Sequence, residues 1–168
     1  RKISLGLAPL AASPARQTPD SGHPARIKST RDLGSEIEAL VKSNAPRKRI
    51  LLVEDQVEQS TAMADGLRRL AQRVDVVQSA EAAMAILTAS QPDIAVIDVG
   101  LPGMNGAELA NLILDKWPQI HVVNITDWTR AVEIEDALEK LRARGAEILT
   151  KPLQPDDMLL ILMDGLAA

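Results

Sequence analysis

The stretch Asp93-Ile94-Ala95-Val96-Ile97-Asp98-Val99-Gly100-Leu101-Pro102-Gly103-Met104-Asn105-Gly106 constrains the fold more than any other. A short apolar run ends on a carboxylate, a Pro/Gly-rich turn follows, and a helical pattern begins. A run this short, apolar at every position, reads as a strand buried on both faces of a parallel sheet. Such a strand delivers Asp98 to a rigid edge, where loops can build a site around it.

The same alternation recurs along the chain. Ile50-Leu51-Leu52-Val53 is a strand followed by Glu54-Asp55, and residues 57–72 have helical period, with Met63, Leu67 and Leu70 inward. Val74–Val77 is a second strand and Ala80–Ala89 a helix. After Ile94–Asp98 come a helix over Ala107–Lys116, ended by Trp117-Pro118, and a fourth strand over His121–Thr126. A helix over Ala131–Arg144, stopped by Gly145, leads to a fifth strand at Ile148–Thr150, and Pro155 opens a last helix. Five βα units predict an α/β fold, a doubly wound parallel sheet with helices on both faces.

Residues 1–46 differ. Pro9, Pro14, Pro19 and Pro24 are separated by small and basic residues, the composition of an extended linker. Within it, residues 31–43 predict a short helix, with Asp32 as N-cap and Leu33, Ile37, Leu40 and Val41 as its stripe. Residues 1–49 hold ten Lys/Arg against four Asp/Glu, a net +6, whereas residues 50–168 hold nine against nineteen, a net −10. The acidic globular part, residues 47–168, points away from direct nucleic-acid binding. No Cys is present, which removes disulfides, thiolate metal sites and Cys nucleophiles. No apolar run is long enough for a membrane span and no signal peptide is evident, so a cytoplasmic location is expected. A first residue of Arg rather than Met suggests a fragment.

The polar residues fall at the strands' carboxyl ends: Glu54 and Asp55, Asp98, Thr126 and Lys151. Three carboxylates on one edge repel one another unless a cation joins them, and all-oxygen ligation without His or Cys suits Mg²⁺. A Lys beside a metal cluster makes sense when an anion joins it, and Thr126 offers that anion a hydroxyl. A carboxylate, a metal, a Lys and a Thr together describe phosphoryl transfer onto Asp98.

At this point the residues resemble a known family. Glu54-Asp55, Asp98 with Leu101-Pro102-Gly103-Met104-Asn105-Gly106, Thr126 and Lys151-Pro152 are similar to the signature of response-regulator receiver domains of two-component systems, over about residues 48–166. The resemblance implies a flavodoxin-like (βα)5 fold with strand order 2-1-3-4-5. It implies that Asp98 accepts phosphoryl from a phosphohistidine on a histidine kinase or phosphotransfer protein. It assigns Mg²⁺ to Asp55, Asp98 and the Gly100 carbonyl, with Glu54 acting through water. Lys151 would bind a phosphoryl oxygen, Thr126 would move to report it, and the Lys151–Pro152 bond would be cis.

Two positions depart from the family pattern. Asp127 follows Thr126, where a small residue is usual; this fourth carboxylate is expected either to repel a phosphoryl group or to assist the metal. Ile148 replaces the usual aromatic switch, so the enlarged approach to the fourth helix, which holds Trp128, is expected to carry the signal. Gly100 is expected to leave the approach to Asp98 open and hydrolysis easy. Met158–Met163 is apolar all round, and either a homodimer through the last helices or the N-terminal extension is expected to cover it. The basic lead-in suits the C-terminal receiver of a hybrid sensor kinase, with a free-standing receiver as the rival. The chain is expected to be a phosphoacceptor and not an enzyme. An unphosphorylated receiver acting as a scaffold is the alternative.

Overall fold

The computed structural model describes residues 48–153 except 70 and 72, together with Asp157 and Ile161. The expected linker and helix at residues 1–46, Leu70, the Pro155 helix start and most of the Met158–Met163 stretch lie outside the described residues.

Five parallel strands form one sheet in the order β2-β1-β3-β4-β5. They are β1 (Arg49–Val53), β2 (Arg73–Val77), β3 (Ile94–Asp98), β4 (His121–Thr126) and β5 (Glu147–Thr150). The helices that lie wholly within the described residues are α1 (Val57–Arg68), α2 (Ala80–Ala89), α3 (Gly106–Lys116), α4 (Trp128–Glu133) and α5 (Glu135–Ala143). This is the flavodoxin-like arrangement.

Successive strand residues face opposite sides, so each central strand feeds two cores. Ile50, Leu52, Ile94, Val96, Val123 and Ile125 pack with Met63, Ala64 and Leu67 of α1 and with Ile161. Leu51, Val53, Ala95, Ile97 and Val122 pack on the other face with Leu87, Leu109, Ile113, Leu138 and Leu141. Both faces are covered, which is why β3 is buried at every position and is apolar as far as Asp98. The outer strands β2 and β5 are only partly covered and carry Arg73, Asp75 and Glu147.

Helix starts follow local chemistry. Ser79 caps α2 by accepting from the Ala82 N–H at 3.2 Å. Asn105 and Glu108 form a reciprocal capping box on α3, with bonds of 2.9 and 3.2 Å. Gly145 (φ 92°) ends α5, and the Ala146 N–H reaches back to the Leu141 carbonyl at 3.0 Å.

The single helix expected over Ala131–Arg144 is two. It begins earlier, at Trp128, and breaks at Ile134 (φ −118°, ψ 25°). Thr129, Val132 and Ile134 are β-branched and weak helix formers. Ala131 and Ile134 dock on the core while Trp128 and Val132 face out. Glu135 and Asp136 then restart the helix at its positive end.

Candidate functional site

Ladder hydrogen bonds that outlast the strands place the polar residues. The Glu54 N–H donates to the Val77 carbonyl at 3.1 Å, extending β1. The Val99 N–H donates to Ile125 at 2.8 Å, fixing the backbone just past Asp98, and the Lys151 N–H donates to Thr126 at 2.8 Å. Alternation decides the facing. Glu54 follows Ile50 and Leu52, Asp98 follows Ile94 and Val96, and Lys151 follows Leu149, so all three share the α1 face. The Lys151–Pro152 bond is cis.

The Lys151 ammonium sits among three oxygens: Glu54 Oε2 at 2.7 Å, Gln59 Oε1 at 2.9 Å and Asp98 Oδ2 at 3.3 Å. Glu54 is wholly buried, and its second oxygen accepts the Gln56 N–H at 3.2 Å at the start of α1. Burial pushes the Glu54 carboxyl above its ordinary value, helped by the charge on Asp98 and opposed by the Lys151 hydrogen bond. Burial alone would lower the Lys151 pKa; the Glu54 hydrogen bond and the charges of Asp98 and Glu54 outweigh it and hold the ammonium up.

Carboxylate oxygens of Glu54, Asp55 and Asp98 lie within 4.8 Å of one another. An octahedral Mg²⁺ at about 2.1 Å from each oxygen needs separations of about 3–4 Å. The 4.8 Å bound admits such separations, and an oxygen-only donor set matches the ion's chemistry. Gly100 lies against the Asp98 carboxylate: a Cβ there would stand 3.2 Å from Oδ2.

Gly106 holds this loop in place. A Cβ at that position would fall 2.0 Å from the Asp98 carbonyl oxygen, so only glycine lets α3 abut the strand end. Its N–H donates to the Val99 carbonyl at 3.2 Å, and its own carbonyl accepts the buried Asn124 amide at 3.3 Å.

The structure thus brings together Glu54, Asp55, Asp98 and Lys151, with Gly100 beside them. Thr126 is buried at the end of β4 but shares the opposite face with Val122 and Asn124, and its hydroxyl donates to the Asp127 carbonyl at 3.2 Å. Asp127 caps α4, accepting the Arg130 N–H at 2.8 Å, and is exposed. Sequence reasoning missed two residues here. Gln59 completes the ammonium's shell, and Arg130 approaches Gly100, its Nε 3.7 Å from where a Cβ would be. Gly100 puts no side chain of its own beside Asp98, and a guanidinium stands on the far side of the space it leaves. The spacing Asp127-x-x-Arg130 at a helix start was the available signal for Arg130.

Residues 50–163 match the response regulator receiver domain family. The chain is 32% identical over 111 residues to the response regulator protein FleR of Pseudomonas aeruginosa, covering 66% of this chain and 23% of that protein. It is 29% identical over 109 residues to the aerobic respiration control sensor protein ArcB of Escherichia coli, covering 64% of this chain and 14% of that one. The chain thus spans a quarter or less of these relatives. The crystal structure of the receiver domain of NtrX from Brucella abortus has the same fold, with a TM-score of 0.62 at 24% identity over 71% of this chain and 98% of that one.

Proposed function

This chain belongs to the response regulator receiver family, and from that premise we propose that it accepts a phosphoryl group from a phosphohistidine onto Asp98. The observation that carries the reading is the Lys151 ammonium held between two inward carboxylates at the sheet's edge. A cation buried between anions stabilises a fold poorly, because desolvation offsets the attraction. It serves an edge built to receive a further anion.

In the transfer, an Asp98 oxygen bonds to phosphorus as the phosphorus–nitrogen bond of the donor imidazole breaks, and the imidazole nitrogen takes a proton. Asp55, Asp98 and the Gly100 carbonyl would hold Mg²⁺, with Glu54 close by, and the ion would supply charge to offset that of the phosphoryl oxygens. Lys151 stays with Asp98 and turns from Glu54 to a phosphoryl oxygen. Thr126 gives up its bond to the Asp127 carbonyl for the same group, which couples the site to α4. The signal then passes through helix faces that include Trp128. The chain acts as an acceptor between proteins and not as an enzyme. Its donor is a cytoplasmic histidine kinase or phosphotransfer protein, and likeness to a sensor protein supports a place within a hybrid kinase.

Incubation with Mg²⁺ and a small phosphodonor should raise the mass by one phosphoryl group, and Asp98→Asn should abolish the gain. No gain in the wild-type protein would leave the scaffold reading in its place.

A further inference from the structure

We propose that Arg130 is a second phosphoryl-binding cation, released from Asp127 when Asp98 is modified, and that it shields the aspartyl phosphate from water. The proposal rests on the reading of Asp98 as acceptor. One point in space carries the argument. The position that a Cβ on Gly100 would take lies 3.2 Å from Asp98 Oδ2 and 3.7 Å from Arg130 Nε. The carboxylate and the guanidinium therefore border one notch, left vacant by glycine. A phosphoryl group on Asp98 carries its own oxygens two bonds further out, and those that enter the notch meet the guanidinium.

Arg130 is anchored yet movable. Its backbone N–H is fixed by the Asp127 cap at 2.8 Å. Its guanidinium reaches Asp127 Oδ2 only at 4.0 Å, the outer limit of an ion pair, with about half of the side chain exposed. The residue also lines a cavity of about 130 Å³ bounded by Val99, Asn105, Ala107, Ile134 and Ala137, so there is free volume beside it. A loose pair with one carboxylate is readily exchanged for a dianion, since an exposed Arg–Asp contact is worth little and an Arg–phosphoryl fork is stronger.

The consequence is kinetic. Hydrolysis requires a water oxygen to bond to phosphorus as the bond to the Asp98 oxygen breaks; the carboxylate is restored, and the water's proton leaves with the phosphate. A guanidinium in the notch binds the oxygens of the ground state and occupies part of the water's approach. Asp127 is its rival, so the two residues affect the lifetime in opposite directions.

The test uses the full chain with Mg²⁺ and two readouts: decay of the phosphorylated species after removal of a small phosphodonor, and affinity for beryllofluoride, a phosphoryl mimic. Arg130→Ala should speed decay about tenfold and weaken beryllofluoride by a similar factor, and Arg130→Lys should restore part of both. Asp127→Asn keeps the cap but frees the guanidinium, so it should slow decay, and this gain should vanish in the Asp127→Asn/Arg130→Ala pair. Equal decay and equal affinity in wild type and Arg130→Ala would overturn the proposal while leaving Asp98 as acceptor. So would a slowing by Asp127→Asn that persists without Arg130, which would mark simple repulsion by Asp127. A wild-type chain that takes up neither phosphoryl nor beryllofluoride would overturn the acceptor reading and this proposal with it.

Discussion

Lys151 carries the electrostatics of the site, and its titration is a measurable consequence. Its pKa is raised in the folded protein by Glu54 and Asp98, against the lowering effect of burial. A raised cation contributes stability that is full below the unfolded value, about 10.4, and is lost as pH climbs through the folded value. The protein has neither Tyr nor Cys, so no phenol or thiol titrates in that window. Denaturant unfolding of the metal-free protein should therefore show stability falling above about pH 10.4, and Lys151→Met should flatten that fall. A wild-type curve as flat as the variant's would contradict the assignment. Gly106→Ala is the sharpest single-residue prediction. A Cβ 2.0 Å from a backbone oxygen cannot be absorbed by a rotamer change, so unfolding by urea should reveal a loss of at least about 3 kcal/mol. At this scale the acids and Lys151 were legible because each sits where a strand pattern stops, and Gly100 only through the family resemblance. It did not disclose Gln59 or Arg130, whose roles depend on how α1 and α4 lie over the sheet edge.

Among the elements, α3 is the one tied most directly to Asp98, since its first residue rests on that residue's backbone. Its start depends on the Asn105–Glu108 capping box. Replacing Asn105 by Ala leaves first-turn donors unpaired and should cost about 1 kcal/mol, seen as a lower urea midpoint with an unchanged slope. A midpoint equal to wild type would mean that tertiary packing alone holds the helix start. The elements differ in how plainly they could be read. Strands β1 and β3 stand out because both faces are buried, and α2 and α3 because a helical stretch follows a strand in each case; their Ser79 and Asn105 caps emerge only from the structure. The break between α4 and α5 was hidden. Ile134 fits a helical stripe by spacing, and only its docking on the core beside Ala131 shows why the axis turns there.

For the molecule as a whole, the order of elements was legible because short apolar strands alternating with amphipathic helices leave few topologies open. The two cores are made almost entirely of aliphatic side chains, since the chain contains no Phe and two Trp. Trp117 ends α3 half-buried against the core, at the edge where the strands begin. Trp128 opens α4 with 73% of its surface exposed, at the opposite edge beside the acids. All near-ultraviolet emission thus comes from two indoles at opposite ends of the strands. Removing the first leaves a dye fixed to the acidic edge; removing the second leaves one at the far end of the strands, so events at the two ends can be watched separately without any label.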